Sequence, residues 1–221
     1  MSASGQSDIS RPVISNQPGL HPRLALNLLR HLEHPLRRPP APHSVAAYSA
    51  LQRRLAQRPS PLVLDSFCGT GMSTESLARK HPDHLVVGID QSAHRLGKHQ
   101  PGQTDNYLLL QAQAEDSWAL LLADGNRATH HYLLYPNPWP KRKHLQRRVH
   151  GHGSFPLLLA LGGHIELRSN WQLYVEEFGV AMHLAGRRGR VRQVSDEPAL
   201  TLFEEKYRNS GHALWAYIAS P

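Results

Sequence analysis

The sequence has few of the residues that mark a disulfide-bonded, metal-binding or membrane-spanning protein. Among 221 residues there is a single cysteine, Cys68, which excludes a disulfide framework and a multi-cysteine zinc site. No apolar run approaches the roughly 20 residues of a membrane helix, and the amino-terminal MSASGQSDISRP has no apolar signal core. The sixteen histidines are scattered without metal-ligand spacing. We therefore expect a soluble, cytoplasmic monomer with no metal and no membrane partner.

Acidic residues are scarce in the first part of the chain. Residues 1–58 hold eight Arg against only Asp8 and Glu33, so this segment provides +6 of the net charge of +8. Residues 1–61 also contain nine of the 17 prolines. These features predict a basic, Pro-rich, partly ordered arm over residues 1–58, with short helical pieces at 20–33 and 43–57. Two roles stay open for it, namely a solvated tail or an arm that contacts nucleic acid.

From residue 61 onwards, short apolar runs alternate with helical segments. The predicted strands are PLVLDSF, HLVVGID, NYLLLQAQ, THHYLLYP, HIELRSN and the terminal GHALWAYIAS. This alternation predicts one α/β domain over residues 59–221, with a mainly parallel sheet and helices on both faces. The apolar fraction of 40% is sufficient for a core. A second basic run is expected to be a loop or part of a nucleic-acid footprint, at Arg187, Arg188, Arg190 and Arg192.

The first strand–helix junction, DSFCGTG, has the features of a nucleotide site. Gly69 and Gly71 leave room for the backbone to approach a ligand, and Asp90 ends the second strand, where a carboxylate accepts ribose hydroxyls. Thr74 replaces the third glycine of a dinucleotide motif. Asp65 would repel a pyrophosphate but suits the sulfonium and ammonium groups of S-adenosylmethionine. A methyltransferase is therefore favoured over a dehydrogenase, the alternative being a tight turn with a solvated acid.

The next two strand ends bring more polar residues to the same edge. Gln113, Ala114 and Glu115 follow the third strand, where an adenine ring would lie. The loop YPNPWP is stiffened by three prolines and holds Asn137 at the crevice. The run that follows has five fixed positive charges and no acid, at Lys141, Arg142, Lys143, Arg147 and Arg148. Such a run is commonly a solvated face, but at the rim of a crevice we favour phosphate binding.

Four segments occur in the order typical of one enzyme family. YPNPWPKRKHLQRR resembles P-D-P-W-P-K-K-R-H-x-K-R-R, and LDSFCGTGMSTESLARKHPDHLVVGID resembles E-I-G-x-G-x-G, a helix and N-P-x-x-x-x-x-G-I-E. GGHIELRSNWQLYVEEF resembles G-G-x-x-x-x-x-T-D-x-x-x-Y, and TLFEEKYRNSGHALW resembles T-K-F-E-x-R-x-x-x-x-G-H-x-x-W. On these motifs, which span roughly residues 60–217, the chain resembles the tRNA (guanine-N7-)-methyltransferase family. Residues 1–58 match no part of it.

This resemblance implies a Rossmann-like class I methyltransferase that methylates guanine N7 of tRNA, in the variable loop, with S-adenosylmethionine as cofactor. The implied cofactor contacts are Asp65, Gly69, Gly71, Asp90, Ala114 and either Gln113 or Glu115. Asn137 occupies the position of the active-site Asp. The implied substrate positions are Lys141, Asn170, Thr201, Leu202, Phe203 and Glu204. The RNA phosphates are assigned to the basic run, and a base could stack on Trp139 unless that ring only packs.

Two acids of the family pattern are amides here, at Asn137 and Asn170. A carboxylate accepts from guanine N1–H and the exocyclic amine, whereas an amide oxygen accepts more weakly and its nitrogen adds donors. Methylation at N7 requires positioning more than a base, because N7 has a lone pair and no proton to lose. Three alternatives stay open: a non-catalytic RNA-binding relative, a methyltransferase acting on another nitrogen, and one acting on a small molecule or protein.

Overall fold

The computed structural model describes residues 9–34, 36–195 and 197–219. Its centre is a seven-stranded sheet in the order β3-β2-β1-β4-β5-β7-β6. The strands are β1 (Leu62–Ser66), β2 (Leu85–Asp90), β3 (Tyr107–Gln111), β4 (Ala128–Leu134), β5 (His164–Ser169), β6 (Gly189–Val194) and β7 (Leu214–Ala219). Strands β1 to β5 pair in parallel, and β7 pairs antiparallel with both β5 and β6. This sheet confirms the predicted α/β class.

Helices follow most strands, as the sequence alternation predicts. They are α1 (Leu24–Glu33), α2 (Pro42–Gln57), α3 (Met72–Lys80), α4 (Ala93–Leu96), α5 (Ala114–Ala123), α6 (Phe155–Leu161), α7 (Gln172–Leu184) and α8 (Leu202–Asn209). Two short 3-10 segments, Arg142–Arg147 and Val149–Gly151, lie between β4 and α6. Helix α6 ends at Leu161 and is followed by Gly162 and Gly163, whose φ angles are +73° and +77°. None of these helices is long and apolar enough to cross a membrane.

Alternate residues of the central strands pack on opposite faces of the sheet. Val63 of β1 packs with Leu77 of α3 on one face, whereas Leu62 and Leu64 pack in the larger core on the other face. The central strands β1 and β2 are buried along their whole length. Burial on both faces explains why these strands have continuous apolar runs rather than alternation.

The amino-terminal arm is part of this core rather than a separate appendage. The two helical pieces predicted in it are present as α1 and α2, and they bury Leu28, Tyr48 and Leu51 in the same cluster as β1 and α5. Tyr48 donates its hydroxyl to Asp124 at 3.0 Å. The arm that was expected to be partly ordered therefore packs on the domain along α1 and α2, and its apolar side chains complete the core of residues 59–221.

Strand β6 is an element that the sequence analysis did not predict. The second basic run was expected to be a loop or a footprint, but GRVRQV forms the edge strand beside β7. The side chain of Arg192 pairs with Glu197, and Arg187 donates to the carbonyl of Leu159 at 3.0 Å. The alternation of Val and Arg was a strand signal, which the high charge of the segment concealed.

Candidate active site

The carboxyl ends of β1 to β4 open onto a crevice of about 290 Å³. It lies at the point where the strand order reverses, between β1 and β4, which is where parallel sheets bind ligands. Each of the four strand ends contributes to its walls, through Phe67, Asp90, Glu115 and Asn137. The remaining lining residues are Gln91, Arg95, Trp118, Tyr135, Pro136, Trp139, Arg147, Val149, His152, Ser154 and Phe203.

Backbone strain is concentrated at this crevice. Within the part of the chain that the structure describes, three non-glycine residues have positive φ angles: Phe67 (+67°), Tyr135 (+55°) and Trp139 (+45°). All three line the crevice. Left-handed backbone costs a bulky residue roughly 1–2 kcal/mol, and such strain persists where the surrounding structure holds it, typically at functional sites. The clustering therefore identifies the crevice as functional, independently of any motif.

Asp65 is the penultimate residue of β1 and is fully buried. Its Oδ2 accepts hydrogen bonds from the hydroxyls of Ser73 and Thr74, both at 2.7 Å, whereas its Oδ1 has no partner among the described residues. Burial raises the pKa of Asp65 to about 6, against the two hydroxyl bonds, which lower it. Gly71 occupies the N-cap position of α3, so the hydroxyls of Ser73 and Thr74 do not cap the helix and are bonded to Asp65 instead.

The two glycines of the first junction differ in their surroundings. Gly69 has φ +63°, and a Cβ built on it would meet no described heavy atom within 4 Å outside its chain neighbours. Gly71 has φ +78°, and its Cβ would lie 2.8 Å from Leu109 Cδ1. Gly69 thus leaves open space for a ligand, whereas Gly71 packs closely against the side chains of Leu109 and His99. The backbone N–H of Gly69 donates to Asp90 Oδ2 at 3.0 Å.

Asp90 lines the crevice with both oxygens already engaged. Its Oδ1 accepts from the backbone N–H of Ser92 at 2.8 Å and pairs with Arg95 at 3.0 Å. Arg95 had no functional signal in the sequence beyond its place directly after the second strand. It is the nearest counter-charge to Asp90, so a ribose that binds Asp90 through two hydroxyls competes with the Arg95 guanidinium.

The three residues predicted at the end of β3 do not share one role. Glu115 lines the crevice. Ala114 is buried as the first residue of α5. The side-chain oxygen of Gln113 accepts from Arg38 at 2.7 Å, and its backbone N–H donates to Ser44 at 3.2 Å. The arm therefore contacts this edge of the site directly, which the sequence did not indicate.

The strained loop after β4 is held from both sides. Asn137 lines the crevice, and its Oδ1 accepts from the backbone N–H of Trp139 at 3.2 Å. The guanidinium of Arg147 lies 4.8 Å from the centroid of the Trp139 ring. The Nε and Nη2 groups of Arg148 both donate to the carbonyl of Trp139 at 3.3 Å. These contacts hold the loop, and with it Asn137, in a fixed position.

Arg148 is not available for RNA. Its side chain is fully buried and forms an ion pair with Glu177, which is also fully buried. The predicted phosphate contact by Arg148 is therefore wrong, and the residue instead positions the loop. Lys141, Arg142 and Lys143 are exposed and line a separate hollow together with residues of the arm.

The carboxyl-terminal substrate positions are only partly brought to the crevice. Phe203 lines it, and Leu202 is exposed nearby in sequence. Thr201 caps α8 by accepting from the backbone N–H of Glu204 at 2.9 Å. Glu204 is fully buried and accepts from Arg168 at 2.9 Å. The substrate position expected for Glu204 is therefore not accessible, since this buried carboxylate forms an ion pair with the buried Arg168.

Asn170 follows β5 and lies outside the crevice walls. Its amide nitrogen donates to Nδ1 of His212 at 3.1 Å, and Nε2 of His212 donates to the carbonyl of Ser10 at 3.0 Å. Six crevice residues were not identified from the sequence at all, namely Gln91, Arg95, Trp118, Val149, His152 and Ser154. Among the described residues, no group of three or more His, Cys, Asp or Glu is placed to hold a metal ion.

The sheet order, the crevice at the switch point and the acids at the first two strand ends define a class I methyltransferase, a class that uses S-adenosylmethionine as its methyl donor. The chain belongs to the family Methyltransf_4, described as "Putative methyltransferase", whose model matches residues 59–217. The match begins after the arm and ends within β7.

Curated relatives and solved structures agree with this assignment. The chain is 28% identical to a tRNA (guanine-N(7)-)-methyltransferase of Pseudoalteromonas atlantica, over 72% of this chain and 71% of the relative. It is 29% identical to the protein of that name from Saccharophagus degradans, over 74% and 76%. The crystal structure of the 16S rRNA methyltransferase KamB shares the fold, with a TM-score of 0.57 and 23% identity over 78% of this chain and 94% of that one.

Proposed function

We propose that this protein transfers a methyl group from S-adenosylmethionine to N7 of a guanine in tRNA. The observation that supports this most strongly is the strained loop of Tyr135 to Trp139, which places Asn137 between the acids of the crevice and an exposed basic segment. The loop belongs to the motif that resembles the family signature, and the relatives named above are tRNA (guanine-N(7)-)-methyltransferases.

The residues around β1 and β2 fit the cofactor. S-adenosylmethionine supplies a methyl group on a sulfonium and has an ammonium but no phosphate. The Oδ1 of Asp65 is a buried, unpartnered acceptor next to the junction, and a carboxylate there favours a cationic ligand. Gly69 leaves its backbone open to the crevice. Asp90 and Glu115 line the walls, where they are suited to the nucleoside part of the cofactor.

The part of the crevice around Asn137 is suited to a purine ring, and methylation of that ring at N7 requires no proton transfer. Guanine N7 attacks with an in-plane lone pair, so the protein has to orient the ring and exclude water. Asn137 is suited to orienting the ring edge, and Phe203, which also lines the crevice and is 46% exposed, offers an aromatic surface for the ring. The product ring is cationic, and an amide stabilises that charge less than a carboxylate would.

The exposed part of the basic run is suited to the phosphates that flank the target base. Lys141, Arg142, Lys143 and Arg147 are exposed, and Arg147 also lines the crevice. Phosphate contacts of this kind position the nucleic acid without reading its sequence. We propose that the protein acts on tRNA in the cytoplasm, as a monomer and without a metal. The proposed target is the guanine of the variable loop.

The test is to incubate the purified protein with methyl-labelled S-adenosylmethionine and unmodified tRNA, then to digest the RNA and identify the labelled nucleoside. Label in 7-methylguanosine supports the proposal, and mapping of the label tests the variable loop. Label in any other nucleoside, or cofactor binding without transfer to RNA, contradicts it and favours a different target nitrogen or a non-catalytic RNA binder. Asn137→Ala serves as the control, since it should lower the transfer rate without loss of folding.

A further inference from the structure

Three further hollows lie in a row, and the last of them adjoins the crevice. The first is lined by Asn16, His21, Pro22, Arg23, Lys141, Arg142 and Lys143. The second shares His21, Arg23, Arg142 and Lys143 with the first and adds Arg30 and Gln146. The third shares Arg30 and Gln146 with the second, adds Arg37, and shares Glu115, Trp139, Arg147 and His152 with the crevice. Because each hollow shares residues with the next, the three hollows form one continuous surface that runs from Asn16 to the crevice. We call this surface the arm groove.

One wall of the arm groove is a face of α1. Arg23, Asn27 and Arg30 are spaced i, i+4 and i+7, which places them on the same side of a helix. Leu24 and Leu28 are buried on the other side, against the core. Asn27 donates from its side-chain amide to the carbonyl of Gly151 at 2.8 Å. The basic face of α1 is thereby held next to the 3-10 segments that follow the strained loop.

The segment before α1 is also bonded to the opposite wall. The hydroxyl of Ser15 donates to the carbonyl of Pro140 at 2.6 Å, and the backbone N–H of Arg142 donates to Oδ1 of Asn16 at 3.0 Å. The side-chain amide of Gln17 donates to Glu177 at 2.6 Å. The groove therefore exists in the protein alone, and binding does not require the arm to be ordered first.

The arm groove has an excess of positive charge with almost no opposing charge. Its exposed cations are Arg23, Arg30, Arg37, Lys141, Arg142, Lys143 and Arg147. Glu115 is the single acid among the residues that line the three hollows. No ion pair joins any of the seven cations to a described residue. Seven unpaired cations along a groove match the repeating charge of a nucleic-acid backbone.

We propose that the arm groove binds the phosphate backbone of the RNA whose base enters the crevice, so that α1 is part of the substrate-binding surface. This proposal rests on the proposed function for the identity of the RNA. It assigns Arg23 and Arg30, which lie outside the region matched by the family model, to contacts with phosphates remote from the target base. The basic run after the strained loop forms the nearer part of the same surface.

The proposal is tested with variants in which Gln replaces Arg, so that positive charge is removed. Truncation is unsuitable because α1 and α2 contribute to the core. The variant Arg23→Gln/Arg30→Gln removes two charges from the groove. The matched control Arg53→Gln/Arg58→Gln removes two exposed charges from the same segment at α2, away from all three hollows. For each protein, the affinity for tRNA is measured from 50 to 300 mM salt by fluorescence anisotropy, with the melting temperature and the affinity for S-adenosylmethionine.

The groove variant should bind tRNA about tenfold more weakly at about 0.1 M salt, and the slope of log affinity against log salt should fall by about 2. Its cofactor affinity and melting temperature should match the wild type, and the control should retain most of its tRNA affinity and slope. Equal loss in both double variants overturns the proposal, since only net charge would then matter. Wild-type affinity in the groove variant overturns it too.

The two proposals fail in distinguishable ways. A wild-type protein that binds tRNA through the groove, with the salt dependence above, but forms no 7-methylguanosine contradicts the proposed function and supports the groove. A groove variant that binds tRNA as the wild type does, while both form 7-methylguanosine, contradicts the groove and supports the proposed function.

Discussion

The guanidinium of Arg148 and the carboxylate of Glu177 form an ion pair in which neither side chain is exposed. The same carboxylate accepts from the backbone N–H of His21 at 2.7 Å and from Nε2 of His150 at 3.2 Å. Arg148 in turn donates to the carbonyl of Trp139 in the strained loop. One buried pair thus connects the arm, α7 and the active-site loop through hydrogen bonds.

We expect Glu177→Gln to lower the free energy of unfolding by about 3–5 kcal/mol, because it leaves the buried Arg148 without its counter-charge. The control Glu176→Gln alters the neighbouring residue, whose carboxylate accepts from Gln172 on the exposed side of α7, and should cost less than about 0.5 kcal/mol. Urea unfolding of both variants measures the difference. Equal stabilities of the two variants would show that the pair has no net structural role.

The pH dependence of cofactor binding should report on Asp65. Burial raises the pKa of Asp65 to about 6, so the carboxylate loses its charge as the pH falls from 7 to 5. Affinity for S-adenosylmethionine, measured by calorimetry, should fall over this range. Asp65→Asn should bind more weakly at pH 7.5 and should lose that pH dependence. A wild-type affinity constant between pH 5 and 7 would contradict a contact with Asp65.

The same group has a predictable effect on the stability of the protein without cofactor. The folded pKa of about 6 lies above the usual value of 3.8, so the folded state binds more protons than the unfolded state between these values. The contribution of Asp65 to the free energy of unfolding therefore decreases as the pH rises from about 4 to about 6. Asp65→Asn should remove this decrease, as measured by urea unfolding at several pH values.

Alanine substitutions at Gly69 and Gly71 should distinguish a glycine that gives a ligand access from one that allows close packing. Both residues have left-handed φ angles, which cost an alanine roughly 1–2 kcal/mol. Gly71→Ala should destabilise further, because its Cβ would lie 2.8 Å from Leu109 Cδ1. Gly69→Ala has space for the methyl group but directs it to where we place the cofactor, so it should weaken cofactor binding more than stability. Calorimetry and thermal unfolding measure the two effects, and an unchanged cofactor affinity in Gly69→Ala would count against the placement.

Asn137→Asp tests the meaning of the amide in the strained loop. If guanine N7 is the target, a carboxylate should hold the ring and its developing charge better, so the transfer rate should be unchanged or up to about tenfold higher. Single-turnover rates with saturating tRNA measure this. Complete loss of transfer would indicate that the amide oxygen and nitrogen are both required, as for a target nitrogen other than N7.

The elements that were predictable from the sequence are those with local signals. Buried parallel strands have continuous apolar runs, and turns have glycine or proline, so β1 to β5 and the Tyr135 loop were identified. The burial of Glu204 and Arg148 was not predictable, because a charged residue in a motif has the same sequence signal whether it binds a ligand or neutralises a buried partner. Each partner lies about thirty residues away in sequence, Arg168 for Glu204 and Glu177 for Arg148.

The sequence by itself determined the α/β class, the acids at the first two strand ends and the basic segment after the fourth. Their spacing along the chain specifies these features, because strand ends of a parallel sheet share one edge. Only the tertiary structure decided that the arm completes the core, that Arg148 is buried, and that Arg23 and Arg30 face the same groove as Lys141. These outcomes depend on contacts between residues that are 29, 76 or 124 positions apart, such as Arg148 with Glu177, Tyr48 with Asp124 and Asn27 with Gly151, which no local pattern records.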